Sequence, residues 1–393
     1  MQPEFIYLVL ATIILVLGVI TVRWIHNQYG IDISIPPSSP NPDLQQPLIS
    51  VIVPARNEAR NIRRSIEALA AQSYQNLELI VVDDGSTDAT PQILKQLQEA
   101  PKPDSSPEIT IINGSALPPG WAGKPHALHQ GFQAAQGEWL CFVDADTFAN
   151  PDLIASTYQA ATNLGADMLT ILTDQDLGSF WEKVIMPLVF TALSVGFPAR
   201  RVNDPQKTDA IANGQFILIR RQVYQAVGGH AAVHDQIAED KALAVLVKGS
   251  GFHLVLGDGR ELARTRMYTS LPEIWEGWVK NIYLGMQDRP WLLLLGAITG
   301  FVAALALPLW TILSLAWLAQ GGGWIAVLVA AESLILWGYL LYNRSQVNQA
   351  MDISFWYALT LPLGALIFTA MMVTSAYNVY SGRGVTWRGR RYT

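Results

Sequence analysis

Charged side chains follow three apolar segments of this sequence, at the point where each segment ends. They are Arg56 and Glu58 after Leu48–Pro54, Asp83 and Asp84 after Leu77–Val82, and Asp144 and Asp146 after Trp139–Val143. Hard divalent cations prefer oxygen ligands and often bridge a carboxylate to a phosphate. The residues therefore suggest a site for a cation and a diphosphate, although an Asp-x-Asp pair after a strand is also typical of turns and helix caps.

The segments that carry these residues alternate with helical patterns. Apolar runs at 48–54, 77–82, 108–112 and 139–143 predict strands, and Ile62, Ile66 and Leu69 recur at helical spacing between the first two. Such alternation predicts a doubly wound α/β sheet. The carboxyl ends of parallel strands lie along one edge, where ligands bind. We therefore expect the charged residues to converge there; the alternative is that each one caps a helix independently.

Two other positions bear charges suited to chemistry. Lys124 lies in a glycine-flanked loop and could reach a phosphate as a point charge, or it could be a solvated surface residue. The loop lacks the Walker pattern. Glu239 and Asp240 begin a predicted helix, where the helix dipole favours acidic residues. A carboxylate at that position can act as a general base towards a substrate hydroxyl, or it can serve as a cap alone.

Composition predicts a membrane protein with a water-soluble middle. The chain has 393 residues, of which 50% are hydrophobic and 15% charged, and the apolar excess lies at residues 5–22 and 291–379. Residues 5–22 are uncharged and precede Arg23, the reverse of a signal peptide, which predicts a retained anchor. We expect a multi-pass protein of the cell membrane, and the positive-inside rule places the domain that follows the anchor in the cytosol.

The predicted domains are an anchor (1–30), a proline-rich linker (31–47), an α/β domain (48–270), an interfacial amphipathic helix (271–289), a transmembrane region (290–380) and a basic tail (381–393). Segments 291–318, 324–342 and 356–379 are long enough to span a bilayer. Three spans would place the arginine-rich tail opposite the soluble domain, against the positive-inside rule. A hairpin in the long first segment, a re-entrant segment and an exception to the rule all stay open. Val184–Phe197 is apolar but short, which indicates a core or interfacial segment.

Charge and cysteine content bear on two classes of partner. The net charge of −6 gives no reason to expect nucleic acid, and the single cysteine, Cys141, leaves no disulfide partner within the chain.

Taken in order, the motifs resemble those of family 2 glycosyltransferases with the GT-A fold. The ordered motifs are Val51–Glu58 (VIVPARNE), Val82–Asp88 (VDDGSTD), Asp144–Asp146 (DAD) and Glu239–Asp240 (ED). Flanking segments resemble membrane-bound bacterial members that glycosylate carotenoids, or the hopanoid-associated branch; these are Gly120–Pro125, Trp275–Asn281 and Trp387–Tyr392. Ceramide glucosyltransferases are similar in layout but more distant.

The resemblance implies a nucleotide-sugar donor and assigns residues to its binding site. Pro54, Arg56, Glu58 and Asp84 would line the nucleotide pocket, with Asp84 near the uracil, and Lys124 would lie beside the nucleotide.

The same resemblance implies a metal and a base. Asp144 would contact the ribose or the metal, and Asp146 would bind Mg²⁺ or Mn²⁺ on the diphosphate. Asp240 would be the catalytic base that deprotonates the acceptor hydroxyl in one inverting displacement. The fold expected is an α/β GT-A domain with a mostly parallel sheet between N-terminal and C-terminal transmembrane helices.

One motif departs from the family pattern. Processive and ceramide-type members carry Gln/Arg-x-x-Arg-Trp after the base, whereas Ile274–Trp278 keeps the tryptophan without the glutamine or arginine. This favours the transfer of one hexose, from UDP-glucose or a similar donor, to a membrane lipid. A carotenoid is the first acceptor expected; a hopanoid, a ceramide-like lipid or a glycerolipid is the alternative. A silent nucleotide-sugar-binding scaffold and a transporter with a regulatory domain are alternatives from other classes.

Overall fold

A computed structural model of the chain describes residues 3–28, 32–41, 43–101, 107–286, 290–381, 385–387 and 390–392. The chain divides into two compact units. The α/β unit comprises Ile31–Asp176 and Ala199–Met267. The helical unit comprises Met1–Gly30, Leu177–Pro198 and Tyr268–Thr393.

The strands in chain order are β1 (Ile49–Ala55), β2 (Leu77–Asp83), β3 (Glu108–Asn113), β4 (Trp139–Val143), β5 (Thr147–Ala149), β6 (Met168–Leu172), β7 (Asp174–Gln175), β8 (Phe216–Arg220), β9 (Leu254–Asp258), β10 (Ala263–Thr265), β11 (Val385–Trp387) and β12 (Arg390–Tyr392). The last two pair antiparallel in the segment predicted as a basic tail.

The helices are α1 (Pro3–Gln28), α2 (Ile62–Ala70), α3 (Thr90–Glu99), α4 (Gly123–Ala134), α5 (Leu153–Asn163), α6 (Phe180–Gly196), α7 (Ala199–Asn203), α8 (Arg221–Ala226), α9 (Gly229–Ala232), α10 (Glu239–Gly249), α11 (Leu271–Met286), α12 (Pro290–Phe301), α13 (Leu307–Ala319), α14 (Gly323–Gln349) and α15 (Leu361–Tyr380). A π-helical turn (Val302–Ala306) joins α12 to α13, and a 3₁₀ segment (Phe355–Thr360) precedes α15.

The α/β unit is built on a sheet with the strand order β3-β2-β1-β4-β8-β6-β9. Strands β1 to β4 are parallel, as the sequence predicts, whereas β8 runs antiparallel to β4 and β6. Phe216, the first residue of β8, therefore pairs with Val143, the last residue of β4. This reversal brings the loop before β8 to the end of β4, where Asp144 lies. The mostly parallel α/β fold expected from the sequence is confirmed.

Strand β4 lies in the centre of the core. All five of its residues are buried, which accounts for its continuous apolar sequence, because a central strand is covered on both faces. The proline-rich stretch predicted as a linker lies along the same unit. The Ile35 amide donates to the Asp258 carbonyl over 3.0 Å, and the Ile35 side chain is 4% exposed.

The described residues contain five helical stretches long and apolar enough to cross a membrane: Ile6–Ile25, Phe180–Asn203, Leu293–Ala319, Gly323–Gln349 and Phe355–Asn378. Four of them coincide with the predicted anchor and the three predicted C-terminal segments. The additional stretch, Phe180–Asn203, contains the run Val184–Phe197, which the sequence suggests is too short to span a bilayer. The stretch is longer than this run because it combines α6 with α7, which begins three residues after α6 ends.

Helix α6 belongs to the helical unit and contains a proline that is compensated by another helix. Pro187 has no amide hydrogen, so it cannot donate to the carbonyl of Lys183 four residues earlier. The buried Arg344 of α14 donates to that carbonyl over 3.0 Å and to the Val184 carbonyl over 2.9 Å. Helix α15 approaches the same turn closely, since a Cβ at Gly364 would lie 2.7 Å from the Val184 carbonyl oxygen.

Helix α11 forms where the sequence predicts an amphipathic helix. Ile274 is fully buried and Trp278 is 7% exposed, so its apolar side packs within the helical unit. Its position at a bilayer surface stays a prediction.

Candidate active site

A cavity in the α/β unit opens at the carboxyl end of β4. It is lined by Pro54, Lys124, Leu128, Phe142, Val143, Asp144, Gly214, Ile217, His230, Glu239 and Asp240. Four of the predicted site residues, Pro54, Lys124, Asp144 and Asp240, thus meet in one cavity.

Each charged residue of the cavity is positioned by the end of a strand or the start of a helix. Asp144 follows β4, Lys124 is the second residue of α4, and Glu239 and Asp240 begin α10. Gly214 lies two residues before β8 and reaches the cavity because β8 is antiparallel to β4. The site therefore combines segments that are far apart in the sequence.

Lys124 joins two carboxylates within the cavity. Its Nζ lies 2.7 Å from Asp144 Oδ1 and 2.8 Å from Glu239 Oε1. The Glu239 side chain is 5% exposed, whereas those of Lys124 and Asp144 are 34% and 26% exposed. Burial lowers the pKa of Lys124, but Asp144, Glu239 and Asp240 raise it more, so it stands well above its usual value. Lys124 is therefore a permanent cation here.

Burial also acts on Glu239. It raises the pKa of that carboxyl, while the neighbouring Lys124 ammonium lowers it and Asp240 raises it again. The ion pair with Lys124 is therefore what makes a charged carboxylate tolerable at this depth.

Asp240 is held by two backbone amides. The Gly214 amide donates to Asp240 Oδ2 over 2.9 Å, and the Lys241 amide donates to Oδ1 over 2.7 Å. Amide donors of this kind stabilise a carboxylate and fix its orientation. Asp240 is partly exposed at the cavity, so an oriented carboxylate faces the space where a substrate would lie.

His230 forms part of the cavity wall as a neutral ring. Its Nδ1 lies 2.9 Å from the Tyr224 hydroxyl, and that hydroxyl also accepts a 2.9 Å hydrogen bond from the His230 amide. The ring meets Phe142 edge to face, with centroids 4.8 Å apart. Burial, reinforced by the Lys124 charge, lowers the pKa of His230 to about 3. The His230 ring therefore carries no positive charge near pH 7.

Arg56, Glu58 and Asp84 are not among the residues that line the cavity. They lie instead at the ends of β1 and β2, where Arg56 donates to the Asp84 carbonyl over 2.7 Å. Glu58 is 7% exposed, and its amide donates to the Thr90 hydroxyl. The structure thus places them in an adjacent group linked to the cavity through Pro54, two residues before Arg56. Their nucleotide-binding roles stay predictions.

Asp146 is likewise absent from the lining of the cavity, although it lies on the turn that follows Asp144. Among the described residues, no three His, Cys, Asp or Glu side chains are arranged to hold a metal ion. Mg²⁺ sites often use one or two carboxylates and complete their shell with substrate phosphates and water. The donor set of Asp144 and Asp146 fits such a cation better when a diphosphate accompanies it than when the protein alone must hold it.

Seven residues that line the cavity were not assigned to the site from sequence, and the polar contacts of the cavity involve three of them: Gly214, His230 and Glu239. Gly214 stands in an Asn-Gly pair before a strand, and His230 follows two glycines, patterns that usually mark turns. Glu239 precedes the predicted base and resembles an ordinary helix cap. The antiparallel course of β8 would have been needed to predict that Gly214 reaches the cavity.

Comparison with known proteins finds similarity to a protein family, to curated proteins and to solved structures. Residues 50–228 match the family described as Glycosyl transferase family 2. The chain is 24% identical over 351 residues to the 4,4'-diaponeurosporenoate glycosyltransferase of Staphylococcus aureus (strain USA300), covering 88% of each chain. The solved mannosyltransferase PcManGT of Pyrobaculum calidifontis, in complex with GDP-Man and Mn²⁺, shares the fold with a TM-score of 0.54 and 17% identity, over 97% of this chain and 99% of that one.

Proposed function

We propose that this glycosyltransferase, whose residues 50–228 match the family described as Glycosyl transferase family 2, transfers one hexose from a nucleotide sugar to a membrane lipid. The observation that carries the proposal is the cavity that brings Lys124 and Asp144 together with Asp240. When a hydroxyl displaces a diphosphate, a positive charge such as that of Lys124 stabilises the leaving group, and a base such as Asp240 removes the proton of the hydroxyl.

Asp240 is the proposed base. The amides of Gly214 and Lys241 fix its two oxygens and leave it facing the cavity. In an inverting displacement it accepts the proton of the acceptor hydroxyl while that oxygen attacks the anomeric carbon and the diphosphate departs. A base positioned in this way also orients the acceptor, which lowers the entropic part of the barrier.

Lys124 and Asp144 are proposed to bind the diphosphate end of the donor. Lys124 supplies a fixed positive charge, held in place by the buried Glu239. Asp144 and Asp146 would hold Mg²⁺ or Mn²⁺, which when bound would stabilise the charge of the departing diphosphate. Arg56, Glu58 and Asp84 are proposed to bind the nucleoside, with UDP-glucose as the first donor to test. The Mn²⁺ and GDP-Man of the Pyrobaculum mannosyltransferase support a metal and a nucleotide sugar in general terms.

The lipid acceptor is inferred from the membrane helices and from the relative. Five described helical stretches can cross a membrane, so the enzyme is proposed to act at the cell membrane with its α/β unit in the cytosol. The S. aureus relative is named for a carotenoid acceptor, which makes a carotenoid the first candidate here. A hopanoid, a ceramide-like lipid or a glycerolipid is the alternative.

The name of that relative favours a second candidate for the acceptor group. A name ending in -oate denotes a carboxylate, which is already ionised at neutral pH and needs no base. The oriented Asp240 favours a hydroxyl. The two candidates differ in one result, since only transfer to a hydroxyl depends on proton removal.

Lipid analysis tests the proposal in the cell. A strain that lacks the protein is expected to lose one glycolipid and accumulate its unglycosylated precursor, and the intact gene is expected to restore the glycolipid. A variant with Asp240→Asn is expected not to restore the glycolipid. Restoration by this variant would favour either a scaffold without catalysis or an acceptor carboxylate, and transfer of labelled hexose by the purified wild-type protein separates these two. An unchanged lipid profile in the deletion strain would contradict the proposal.

A further inference from the structure

The ion pair between Lys124 and Asp144 has a consequence for how a metal enters the site. Asp144 Oδ1 lies 2.7 Å from the Lys124 ammonium, so the carboxylate proposed for the cation already faces a positive charge. A divalent cation on Asp144 would stand beside that charge, and like charges at such separations repel strongly in a partly buried site.

Lys124 is held in this place from the protein interior. Glu239 Oε1 lies 2.8 Å from its Nζ, and the Glu239 side chain is 5% exposed against 26% for Asp144. The outer contact is therefore open to solvent and ligands, whereas the inner contact is not. Gly214 borders the ammonium as well, since a Cβ there would lie 2.9 Å from Lys124 Nζ.

A diphosphate would change the balance of charge around Lys124. Its oxygens can accept the hydrogen bonds that the ammonium now gives to Asp144, and their negative charge offsets the repulsion between Lys124 and a divalent cation. Asp144 is then released to the cation while Glu239 keeps its contact with Lys124.

We propose that Lys124 is a counter-ion that keeps Asp144 from binding a free divalent cation and yields it when the diphosphate of a nucleotide arrives. Metal and nucleotide then bind with positive coupling, and Lys124 is the residue that produces the coupling. The inference rests on the proposed function, because it takes Asp144 as a metal ligand and the donor as a diphosphate.

The test is a titration of the purified full-length protein with Mn²⁺, with free Mn²⁺ followed by electron paramagnetic resonance. It is run without nucleotide, with UDP and with GDP. In the wild-type protein, a nucleotide diphosphate is expected to raise the Mn²⁺ affinity by at least about tenfold, within the usual range of coupling between two ligands. In Lys124→Met, Mn²⁺ is expected to bind without nucleotide about tenfold more tightly than in the wild type, and the coupling should fall below about threefold.

Two further variants serve as controls. Lys124→Arg keeps the positive charge and is expected to keep the coupling, which separates the loss of the charge from general damage to the site. Lys95→Met removes the lysine of an exposed ion pair with Glu99 on α3 and is expected to leave Mn²⁺ binding unchanged.

Two results would overturn the inference in different ways. If the wild-type protein binds Mn²⁺ equally tightly with and without nucleotide, or if Lys124→Met keeps the full coupling, the role of Lys124 is wrong and the proposed function stands. If neither Mn²⁺ alone nor Mn²⁺ with UDP or GDP binds to any variant, the metal site fails and the proposed use of a metal fails with it.

Discussion

The backbone amide of Gly214 donates a 2.9 Å hydrogen bond to Asp240 Oδ2 and so joins the loop before β8 to the first turn of α10. A Cβ at position 214 would lie 3.0 Å from that oxygen and 2.9 Å from Lys124 Nζ. Glycine therefore allows the backbone to approach the two charged side chains. A side chain at position 214 would crowd both Lys124 and the proposed base.

Gly214→Ala is expected to lower the rate of transfer while the protein remains folded. The added methyl group would displace Asp240, Lys124 or both, and a displacement of about 1 Å in a catalytic group can reduce the rate by about 10²-fold. The measurement is kcat for transfer beside a thermal unfolding curve. Gly249→Ala on α10 is the control, because no atom lies within 4 Å of a Cβ there. Equal rates for the two variants would contradict the proposed positioning.

The buried His230 is expected to make the folded protein less stable at acidic pH. Its pKa is lowered to about 3 by burial, whereas an unfolded histidine has its ordinary value of 6.5. Between these values the unfolded state binds a proton that the folded state does not, so stability is lost as the pH falls. Relative to His230→Gln, the wild-type protein is expected to lose on the order of 3 kcal/mol between pH 7 and pH 4. Denaturant unfolding at several pH values measures this, and parallel pH dependences would contradict it.

Arg344 is expected to stabilise the helical unit through the turn of α6 that contains Pro187. Arg344→Met removes the donor to the Lys183 and Val184 carbonyls and should lower the free energy of unfolding by about 1–3 kcal/mol. In a Pro187→Ala background the loss should be smaller, because residue 187 then donates to the Lys183 carbonyl itself. Unfolding in detergent gives the four values of this cycle. An equal loss in both backgrounds would show that the proline and the arginine are independent.

Asp146 is predicted to act through the metal. Asp146→Asn keeps the size of the side chain but weakens a ligand, so the Mn²⁺ concentration for half-maximal transfer should rise by about 10- to 100-fold. The rate at saturating Mn²⁺ should fall less. Asp235→Asn, which changes an exposed aspartate five residues before Asp240, should leave the Mn²⁺ dependence unaltered. If the two variants have the same dependence, Asp146 is not a ligand.

The sequence predicts the parallel strands β1 to β4 well, but it does not predict the direction of β8. The continuous apolar run of β4 predicts a buried parallel strand, and the structure confirms it because this strand lies at the centre of the sheet. Strand β8 has an equally apolar sequence, Phe216–Ile219, but nothing in that sequence gives its direction. Its antiparallel course is decided by long-range packing, and it is this course that brings Gly214 to the cavity.

Long-range contacts also explain what the sequence could not show elsewhere. Asp144 and Lys124 are recognisable as functional candidates because each stands in a distinctive local pattern. Their direct contact at 2.7 Å, and the burial of Glu239 behind them, depend on how α4 and α10 are packed. In the same way, an arginine at position 344 gives no local sign that it serves a carbonyl on α6, 160 residues away.

The most direct measurement compares the transfer of labelled hexose by the purified wild-type protein and by Asp240→Asn. It tests whether the sugar is transferred to a hydroxyl in this cavity. The wild-type protein is expected to move label from UDP-glucose, or from another nucleotide sugar tested beside it, into a lipid extract of the deletion strain. Asp240→Asn should bind the donor with unchanged affinity and transfer 10²- to 10⁴-fold more slowly, as expected for loss of a general base. Transfer at the wild-type rate by Asp240→Asn would contradict the account, since the acceptor would then need no base from this cavity.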